Sequence, residues 1–505
     1  MIAVLQFDGV SLPHLHKFLK QGYLPALAQL RGRGHWFSLG TPAASWEAAT
    51  YYSLYSGKGI TEHGIYFAFM WAPTEQRVRS SEAYPAPEPI WDRIGKLGRR
   101  SLVIDPYESG KPRSVEGVAM SGWQFRHKVT LRKWSVPEGL DRELERRFGR
   151  PSLVEEVYGR PSAPYLLKMR RRLLGAPERA ANVTTALLSE GSFDLIWVTF
   201  SSSHIAGHWF LDPSRLPGAG FNAKTKTDLD ATLGHAYAAV DEALSRILAA
   251  LPAHTDIIVL SASGIGPTAS RSHLLPGMLQ AVLSANAQEA GSTEPAGNFL
   301  WRLRKFVPPN FRAQVARVLP APLVMEVTAR LAMRGVDWSK TKAFMLPSAD
   351  CGYVRLNLMG RERDGIVDPK EAPRLMERIA AGLHTFSDPD GSPAVKTIEF
   401  TSNSLGYDTF SHPFPDLVVH WSERLPPQPA VVHSPIFGPV ASAGWGSGRT
   451  GEHCDDAWAL IVPGSSRLRN PVNSPHIMDI APTICSVLRV DSDGLTGQSL
   501  LEPGA

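Results

Sequence analysis

The stretch that most constrains the fold is residues 194–208, where a short apolar run leads directly into two histidines. Residues 194–200 read Asp-Leu-Ile-Trp-Val-Thr-Phe, and so short a β-branched and aromatic run favours a buried strand over a helix. Three serines end the run, and His204 and His208 follow. If a helical turn opens there, both imidazoles lie on one face, as ligands of a shared metal ion must. The alternative is that the two histidines only pack the end of the strand.

A second strand ends in an acid. Residues 2–7 are apolar, and Asp8-Gly9 closes them. Ligands of open α/β sheets bind beyond the carboxyl ends of the strands, so Asp8 is expected on the same rim as the histidines. The alternative is an ordinary turn aspartate. Further strands are predicted at residues 101–104, 255–261 and 457–462. Their alternation with helical segments indicates a mostly parallel sheet with helices on both faces.

Ser45 precedes Trp-Glu-Ala-Ala and is predicted to cap the N-terminus of a helix. A hydroxyl at that position lies in the positive field of the helix, which stabilises an alkoxide or a bound phosphate. The alternative is a capping serine without a further role. His63-Gly64, behind this helix, indicates a turn rather than a metal ligand.

Composition narrows the class of protein. The chain has 505 residues, 43% hydrophobic and 20% charged, which are globular values. A net charge of +5 is small for this length, so the basic balance does not indicate nucleic-acid binding. Three widely spaced cysteines give neither a disulfide framework nor a zinc knuckle. Without a leader pattern or an apolar run of membrane-spanning length, we expect no integral membrane segment and a cytoplasmic location.

Two basic regions interrupt the strand and helix alternation. Residues 126–179 and 286–340 are weakly patterned as helices and rich in arginine and lysine. We therefore predict a single large α/β domain over residues 1–505, with these two segments inserted as a cap or lid. Their charge suits an anionic substrate, although such runs are more often solvated faces.

Five motifs together resemble the alkaline phosphatase superfamily, in its type I phosphodiesterase/nucleotide pyrophosphatase branch. They are Asp8-Gly9, Ser45-Trp-Glu-Ala-Ala with Tyr-Ser-Gly57 and Glu-His-Gly-Ile65, His204-x-x-x-His208, Gly352-Tyr-Val-Arg-Leu-Asn-Leu-Met-Gly-Arg361 with Gly365-Ile-Val, and Arg449-Thr-Gly-Glu-His453. The closing Asp479-Ile-Ala-Pro-Thr is also typical of the family. The resemblance implies an alkaline-phosphatase-like three-layer sandwich, with a mostly parallel central sheet and cap-like insertions.

The resemblance also implies two divalent ions, usually zinc, about 4 Å apart, which clamp the attacking and leaving oxygens of a phosphoryl transfer. One half-site combines the acid after the first strand, matched by Asp8, with a nucleophile and an Asp-His pair. Ser45 is the predicted nucleophile, with Thr50 and Thr41 as alternatives because the family spacing is usually shorter. The other half-site is matched by three histidines, namely His204, His208 and His453.

The chain departs from the family in the first half-site. Where the family has Ser-Asp-His-Gly-Met, this chain reads Ser261-Ala262-Ser263-Gly264-Ile265. Alanine cannot coordinate, and a neutral hydroxyl is a poor substitute for imidazole. His273 lies further along, but nothing in the spacing requires it to reach the site. We therefore expect one ion, zinc, at the three histidines, whose open fourth position is that of a catalytic zinc.

These features predict a metal-dependent hydrolase of small-molecule phosphate esters, of the phosphodiesterase type, with Ser45 as nucleophile. Because Ala262 and Ser263 stand where the family has two metal ligands, two alternatives remain. One is a catalytically degenerate member that binds an anionic ligand or a partner protein. The other is a one-metal enzyme of the sulfatase or phosphotransferase kind. The sequence determines neither the substrate nor the oligomeric state.

Overall fold

The computed structural model describes most of the chain, and all structural statements below concern the described part. The described residues are 1–127, 131–154, 156, 161–216, 220–284, 333, 335–348, 350–407, 412–423, 430–442, 447–470 and 474–504.

The described strands, numbered in chain order, are β1 (Ile2–Phe7), β2 (His35–Leu39), β3 (Phe69–Ala72), β4 (Arg77–Ser80), β5 (Arg100–Ile104), β6 (Glu116–Ser121), β7 (Phe125–Arg126), β8 (Trp134–Val136), β9 (Ser152–Leu153), β10 (Leu195–Phe200), β11 (Asp256–Ser261), β12 (Gly264–Pro267), β13 (Ala343–Leu346), β14 (Gly352–Leu356), β15 (Val395–Phe400), β16 (Leu417–Trp421), β17 (Val431–Ser434), β18 (Gly438–Ala441), β19 (Gly451–Cys454), β20 (Ala457–Val462), β21 (Ser466–Leu468) and β22 (Leu501–Pro503).

The described α-helices, numbered in the same way, are α1 (Leu12–Lys20), α2 (Pro25–Arg31), α3 (Glu47–Ser56), α4 (Ile60–His63), α5 (Ile90–Gly95), α6 (Leu140–Phe148), α7 (Ala163–Leu174), α8 (Ala176–Glu190), α9 (Ser202–Phe210), α10 (Ala223–Asp230), α11 (Thr232–Ala250), α12 (Leu275–Ser284), α13 (Ala372–Leu383), α14 (Thr401–Leu405) and α15 (Ile480–Leu488).

An eight-stranded sheet in the order β2-β20-β11-β1-β10-β5-β6-β8 forms the centre of the molecule. The five strands from β11 to β6 are parallel, and β20 and β8 pair antiparallel with the two ends of this set. Strand β2 pairs antiparallel with β20 and therefore runs in the same direction as the five. The sheet confirms the predicted α/β class with a mostly parallel sheet. Because parallel strands all end on the same rim, the carboxyl ends of β1, β10 and β11 lie next to one another.

The central strands are apolar on both faces because helices cover both. Every residue of β1, β10, β11 and β20 is buried, which is the pattern of a doubly covered parallel sheet. Helices α3, α5 and α15 contact one another, and α7, α8, α9 and α11 form a second group. Both groups contact central strands, as expected for one helical layer on each face.

A smaller antiparallel sheet, in the order β13-β14-β16-β15, packs with α12 and α13 around its own hydrophobic core. Residues 126–179, predicted as an insertion, supply the edge strand β8 of the central sheet as well as α6 and α7. Of the second predicted insertion, residues 286–332 and 334 lie outside the described residues. The division of the chain into one domain with two insertions stays a prediction.

Within the described residues, no helix combines the length and apolar character that crossing a membrane requires.

Gly9 lets the first strand turn against the helix that carries the two spaced histidines. Its φ is +69°, a left-handed value, and an added Cβ would lie 2.8 Å from the Cα of His204. A side chain at this position would therefore be strained in its backbone and would also press on His204. The Asp8-Gly9 turn consequently sets how closely α9 approaches β1.

We expect Gly9→Ala to lower the free energy of unfolding by more than the roughly 1–3 kcal/mol that a left-handed non-glycine residue costs. The added methyl group would also collide with the backbone of His204. Gly22→Ala is the matched control, because Gly22 has φ +77° with nothing within 4 Å of the added Cβ. Urea denaturation of both variants measures the difference, and equal losses would contradict the close approach.

Candidate metal centre

Four elements bring side chains to the rim of the central sheet. Helix α9 follows β10 and carries His204 and His208, confirming the helical turn predicted from their spacing. Asp8 directly follows β1. His453 lies in β19, which pairs antiparallel with β12 so that it stands opposite Ile265. Glu47 is the first residue of α3.

The structure brings the three predicted histidines together. Their ring centroids are 4.8 Å apart for His204–His208, 4.8 Å for His204–His453 and 5.1 Å for His208–His453. One nitrogen from each ring lies within 4.8 Å of the other two, and all three residues are buried. In the described part of the chain, these histidines are the one group of metal-ligating side chains so closely placed.

Two of the histidine rings are hydrogen-bonded through Nδ1, and their Nε2 atoms face each other. The Nδ1 of His204 lies 2.8 Å from Asp8 Oδ2, and the Nδ1 of His208 lies 2.8 Å from the carbonyl oxygen of Gly451. Both partners accept, so each Nδ1 carries the proton and donates it. The two Nε2 atoms are then lone-pair acceptors only 2.9 Å apart. Two such acceptors repel each other unless a proton or a cation lies between them, so this donor set fits a metal ion.

The third histidine is held from both sides. Its Nδ1 lies 3.2 Å from Ser263 Oγ, and its Nε2 lies 3.1 Å from Glu47 Oε1. The geometry of the second contact is not that of a hydrogen bond. Within the described structure, His453 Nε2 and Glu47 Oε2 are both buried polar atoms without a hydrogen-bond partner.

Asp8, a predicted metal ligand, lies behind His204 rather than beside the three ligand nitrogens. Its Oδ2 accepts from His204, and its Oδ1 accepts from Tyr51 Oη at 3.0 Å and from Gln6 Nε2 at 3.2 Å. Both oxygens therefore bond to protein donors. In this position Asp8 orients the imidazole and sets its tautomer, as carboxylates behind metal-bound histidines do.

The predicted nucleophile, Ser45, points away from the three histidines. Its Oγ lies 3.1 Å from Glu399 Oε2 and 3.4 Å from His420 Nε2. The prediction that Ser45 caps a helix is wrong, because α3 begins at Glu47 and its N-cap is Trp46. A turn causes the shift, since the carbonyl of Pro42 accepts from the N–H groups of Ser45 and Trp46.

The two alternative nucleophiles are also engaged elsewhere. Thr41 Oγ1 donates to the carbonyl oxygen of Ala262 at 2.8 Å. Thr50 is buried within α3, where its hydroxyl lies 3.5 Å from the carbonyl of Trp46.

In the half-site predicted to be degenerate, the side chains at the two expected ligand positions do not form a metal site. Ala262 is fully buried, and the hydroxyl of Ser263 contacts His453. His273, considered as a substitute ligand, does not belong to the group of close metal-ligating side chains found among the described residues.

A cationic side chain lies beside the histidines. Arg449 Nη1 is 3.4 Å from the Nε2 of His208 and can donate to it. The same guanidinium donates to Glu156 Oε1 from Nε at 3.0 Å and from Nη2 at 2.7 Å. Glu156 also accepts from Trp209 at 2.8 Å, so a buried carboxylate holds Arg449 in place.

Burial and charge give the histidines different proton affinities. Burial lowers the pKa of His208 well below its usual value, and the positive charge of Arg449 lowers it further. Burial also opposes protonation of His453, but the carboxylates of Glu47 and Asp350 outweigh it and raise its pKa to about 9. For Glu47, burial raises the pKa, yet the charge of His453 prevails and lowers it to about 2. Without a metal ion, Glu47 and His453 therefore form a buried ion pair at neutral pH.

Sequence reasoning missed Glu47, Glu156 and the position of Arg449. Glu47 carried a usable signal, because an acid in the first turn of a helix that starts at the sheet rim points toward the site. Arg449 was quoted as part of a motif without a role. Glu156 lies in a segment that reads as an insertion, and nothing in its spacing connects it with Arg449.

The sequence model of the family described as type I phosphodiesterase / nucleotide pyrophosphatase matches residues 2–321, more than half of the chain. The chain belongs to this family. Membership in the type I phosphodiesterase/nucleotide pyrophosphatase family confirms the resemblance read from the motifs and supports the prediction of a phosphoric ester hydrolase. No curated protein sequence matches the chain.

Solved structures similar to this family member include a phosphonoacetate hydrolase and an ectonucleotide pyrophosphatase. The first, from Sinorhizobium meliloti 1021 in complex with phosphonoformate, has 14% identity, TM-score 0.48, and coverage of 95% of this chain and 93% of its own. The second, murine ectonucleotide pyrophosphatase / phosphodiesterase 5 as an inactive variant in complex with AMP, has 11% identity, TM-score 0.47, and 99% coverage of both chains. Likeness of this degree carries no inference about chemistry.

We expect the affinity of the three histidines for zinc to rise with pH. A metal ligand must be a neutral imidazole, and His453 keeps its proton until about pH 9. One displaced proton makes the apparent dissociation constant fall about tenfold per pH unit from neutral pH to about 9.

Calorimetric titration with zinc across this pH range, in two buffers of different ionisation enthalpy, measures both the affinity and the proton release. His235→Asn is the control, because His235 is exposed and lies outside the group of three. An affinity that does not change with pH would contradict the assigned proton on His453.

Proposed function

We propose that the protein is a metal-dependent phosphodiesterase that uses one divalent ion, zinc, held by His204, His208 and His453. The main support for this proposal is that the Nε2 atoms of His204 and His208, whose protons are assigned to Nδ1, lie 2.9 Å apart in a buried site. Three imidazole ligands and an open position describe a catalytic zinc site. Such an ion polarises a phosphoryl oxygen or lowers the pKa of a bound water.

The chain's own residues prepare the site for that ion. Asp8 and the carbonyl of Gly451 hold the protons of His204 and His208 on Nδ1, so that both Nε2 atoms point into the site. Tyr51 donates to Asp8 at 3.0 Å and stabilises its negative charge. Partners of this kind orient metal-bound histidines and raise their basicity.

Arg449 supplies the positive charge that a second metal ion would otherwise bring to the phosphate. Its Nη1 lies 3.4 Å from His208 Nε2, at the edge of the site where a phosphoryl oxygen would bind. Guanidinium groups bind phosphate through paired, charge-assisted hydrogen bonds. Glu156 fixes the orientation of Arg449 and is itself buried, so the arginine does not have to be ordered when substrate arrives.

We infer that a cavity along helix α3, the helix that begins at Glu47, takes the second ester group of a diester. It has a volume of about 500 Å³, and its wall includes Ala48, Tyr52 and Tyr55 along one face of α3. Glu108 belongs to the same wall, and burial followed by the charge of Glu47 raises its pKa to about 8. The cavity is thus electrostatically coupled to the histidines. A monoester has no group to bury there, which favours diesters as substrates.

Ser45 is the nucleophile in this proposal. Its hydroxyl has two groups in reach that can accept a proton, Glu399 at 3.1 Å and His420 at 3.4 Å. Activation by a neighbouring base is what a serine hydroxyl requires, because it is a weak nucleophile when protonated. The hydroxyl has to turn toward the histidines when substrate binds. The cytoplasmic location also remains part of the proposal, and the three free cysteines accord with it.

A second candidate function is the binding of an anionic ligand without turnover. The construction around Ala262 and Ser263 favours it, since Ser263 contacts His453 and Ala262 is buried among apolar side chains. The loss of the half-site at Ala262 and Ser263 removes the usual means of activating a serine in this family. Turnover of a phosphate ester distinguishes the two functions directly.

We expect purified protein supplied with zinc or manganese to hydrolyse bis-p-nitrophenyl phosphate faster than the monoester p-nitrophenyl phosphate. His208→Ala should lower kcat/KM on the diester by at least about a hundredfold, because the ion loses one of its ligands. The release of p-nitrophenol measures both rates, and His235→Asn is the control. Unchanged turnover in His208→Ala would overturn the proposal, and no turnover by any metal-loaded protein would favour the binding function.

We expect Ser45→Ala to reduce kcat on the diester by about a thousandfold or more, because no covalent intermediate can form. Ser189→Ala, on the exposed face of α8, is the matched control. Rapid mixing with excess substrate should also show an initial burst of p-nitrophenol in the unaltered protein and none in Ser45→Ala. Near-normal turnover in Ser45→Ala would mean that water attacks the phosphate directly.

A further inference from the structure

Glu47 lies against the one histidine nitrogen that needs a partner. Its Oε1 is 3.1 Å from His453 Nε2, but no hydrogen bond joins the two groups. The other carboxylate oxygen, Oε2, is buried and has no hydrogen-bond partner within the described structure. Burying a carboxylate oxygen without a partner is costly, so a carboxylate left in this state indicates a ligand that is bound there in the working protein.

The geometry of His453 identifies that ligand as a cation. Its Nδ1 is occupied by the hydroxyl of Ser263 at 3.2 Å, so Nε2 is the ring nitrogen that has no hydrogen-bond partner within the described structure. Glu47 lies against this nitrogen, 3.1 Å away. This differs from Asp8, which contacts His204 on the Nδ1 side.

A purely structural role for Glu47 does not explain the position of its carboxylate. A carboxylate in the first turn of a helix is stabilised by the helix dipole, and Glu47 has this position in α3. The dipole does not require the side chain to approach His453, however, and it leaves Oε2 unsatisfied. Glu47 lies outside the close group of three but only 3.1 Å from His453, so a movement of its side chain would bring the carboxylate to an ion held by the histidines and remove that deficit.

We propose that Glu47 is the fourth protein ligand of the metal ion, which gives a site of three imidazoles and one carboxylate. This inference rests on the proposed metal site and adds a ligand to it. Carboxylate oxygens bind zinc at about 2.0–2.2 Å, and they also suit manganese. The negative ligand partly neutralises the ion. With Glu47 and the three histidines holding it, the ion would have to accept a fifth ligand or give up the carboxylate before a phosphate ester could reach it.

The other oxygen groups at the rim are less suited to this role. Both oxygens of Asp8 already accept hydrogen bonds from protein donors. Ser45 contacts Glu399 and His420 instead of the histidines. Glu47 therefore combines an unpartnered oxygen with contact to a histidine nitrogen that has no hydrogen-bond partner within the described structure.

The test compares the metal affinity of the full chain with that of Glu47→Gln, which keeps the size of the side chain and removes its charge. Metal-free protein is titrated with zinc against a chromophoric chelator, and with cobalt while the visible absorption is recorded. We expect Glu47→Gln to bind zinc at least about tenfold more weakly and to change the intensity and position of the cobalt bands. Circular dichroism confirms that the variant is folded.

Glu399→Gln is the matched control, because Glu399 is also a partly buried carboxylate next to a histidine but contacts His420 rather than the three grouped histidines. It should leave zinc affinity and the cobalt spectrum unchanged. Glu47→Asp retains the charge on a shorter side chain. Its zinc affinity should lie between that of Glu47→Gln and that of the unaltered protein. If Glu47→Gln binds zinc and cobalt as the unaltered protein does, the inference is wrong while the three-histidine site stands. If the unaltered protein binds neither ion, the proposed metal site and this inference both fail.

Discussion

The proposed metal site depends on two acceptor nitrogens held 2.9 Å apart in a buried position. His204 and His208 cannot relieve this repulsion by exchanging tautomers, because Asp8 and the Gly451 carbonyl each hold a proton on the far nitrogen. Nor can they move apart easily. Gly9 packs directly on the backbone of His204, and an added Cβ at Gly207, between the histidines, would lie 3.0 Å from Ile265. In the proposed site, close packing therefore turns an unfavourable contact between lone pairs into a reason to bind a cation.

The sheet explains why residues so distant in sequence meet at this point. Parallel strands β1 and β10 pair in register from Ile2 with Leu195 to Phe7 with Phe200, so Asp8 and the start of α9 leave the sheet side by side. Strand β19 comes back over this rim by pairing with β12, which directly follows β11. The local pairing of short strands therefore determines which histidine completes the group.

Much of this arrangement could be predicted from the sequence, because it depends on local patterns. The apolar runs predicted β1 and β20 with the observed limits, and the spacing of His204 and His208 predicted the helical turn of α9.

The position of Ser45 could not be predicted in this way. Each residue along a helix turns the side chain by about 100°, so starting α3 at Glu47 rather than one residue earlier decides which side chain faces the histidines. The turn at Pro42 that sets this start involves no apolar periodicity. The pairing of Arg449 with Glu156 spans 293 residues, and no local signal reports such a contact.

If Arg449 takes the place of a second metal ion, as proposed, the charge of the phosphate is neutralised in a different way. A metal ion binds the attacking oxygen and lowers its pKa, whereas a guanidinium only donates hydrogen bonds and has no open coordination position. Arg449 can therefore neutralise the phosphate but cannot activate a hydroxyl. In the proposed function a base has to perform that task, and Glu399 and His420, which contact the hydroxyl of Ser45, are the groups assigned to it. The guanidinium of Arg449 is held mainly by Glu156. Its Nη2 lies 2.7 Å from Glu156 Oε1, whereas its Nη1 lies 3.4 Å from His208 Nε2. This leaves the Nε2 of His208 available to an ion despite the positive charge beside it.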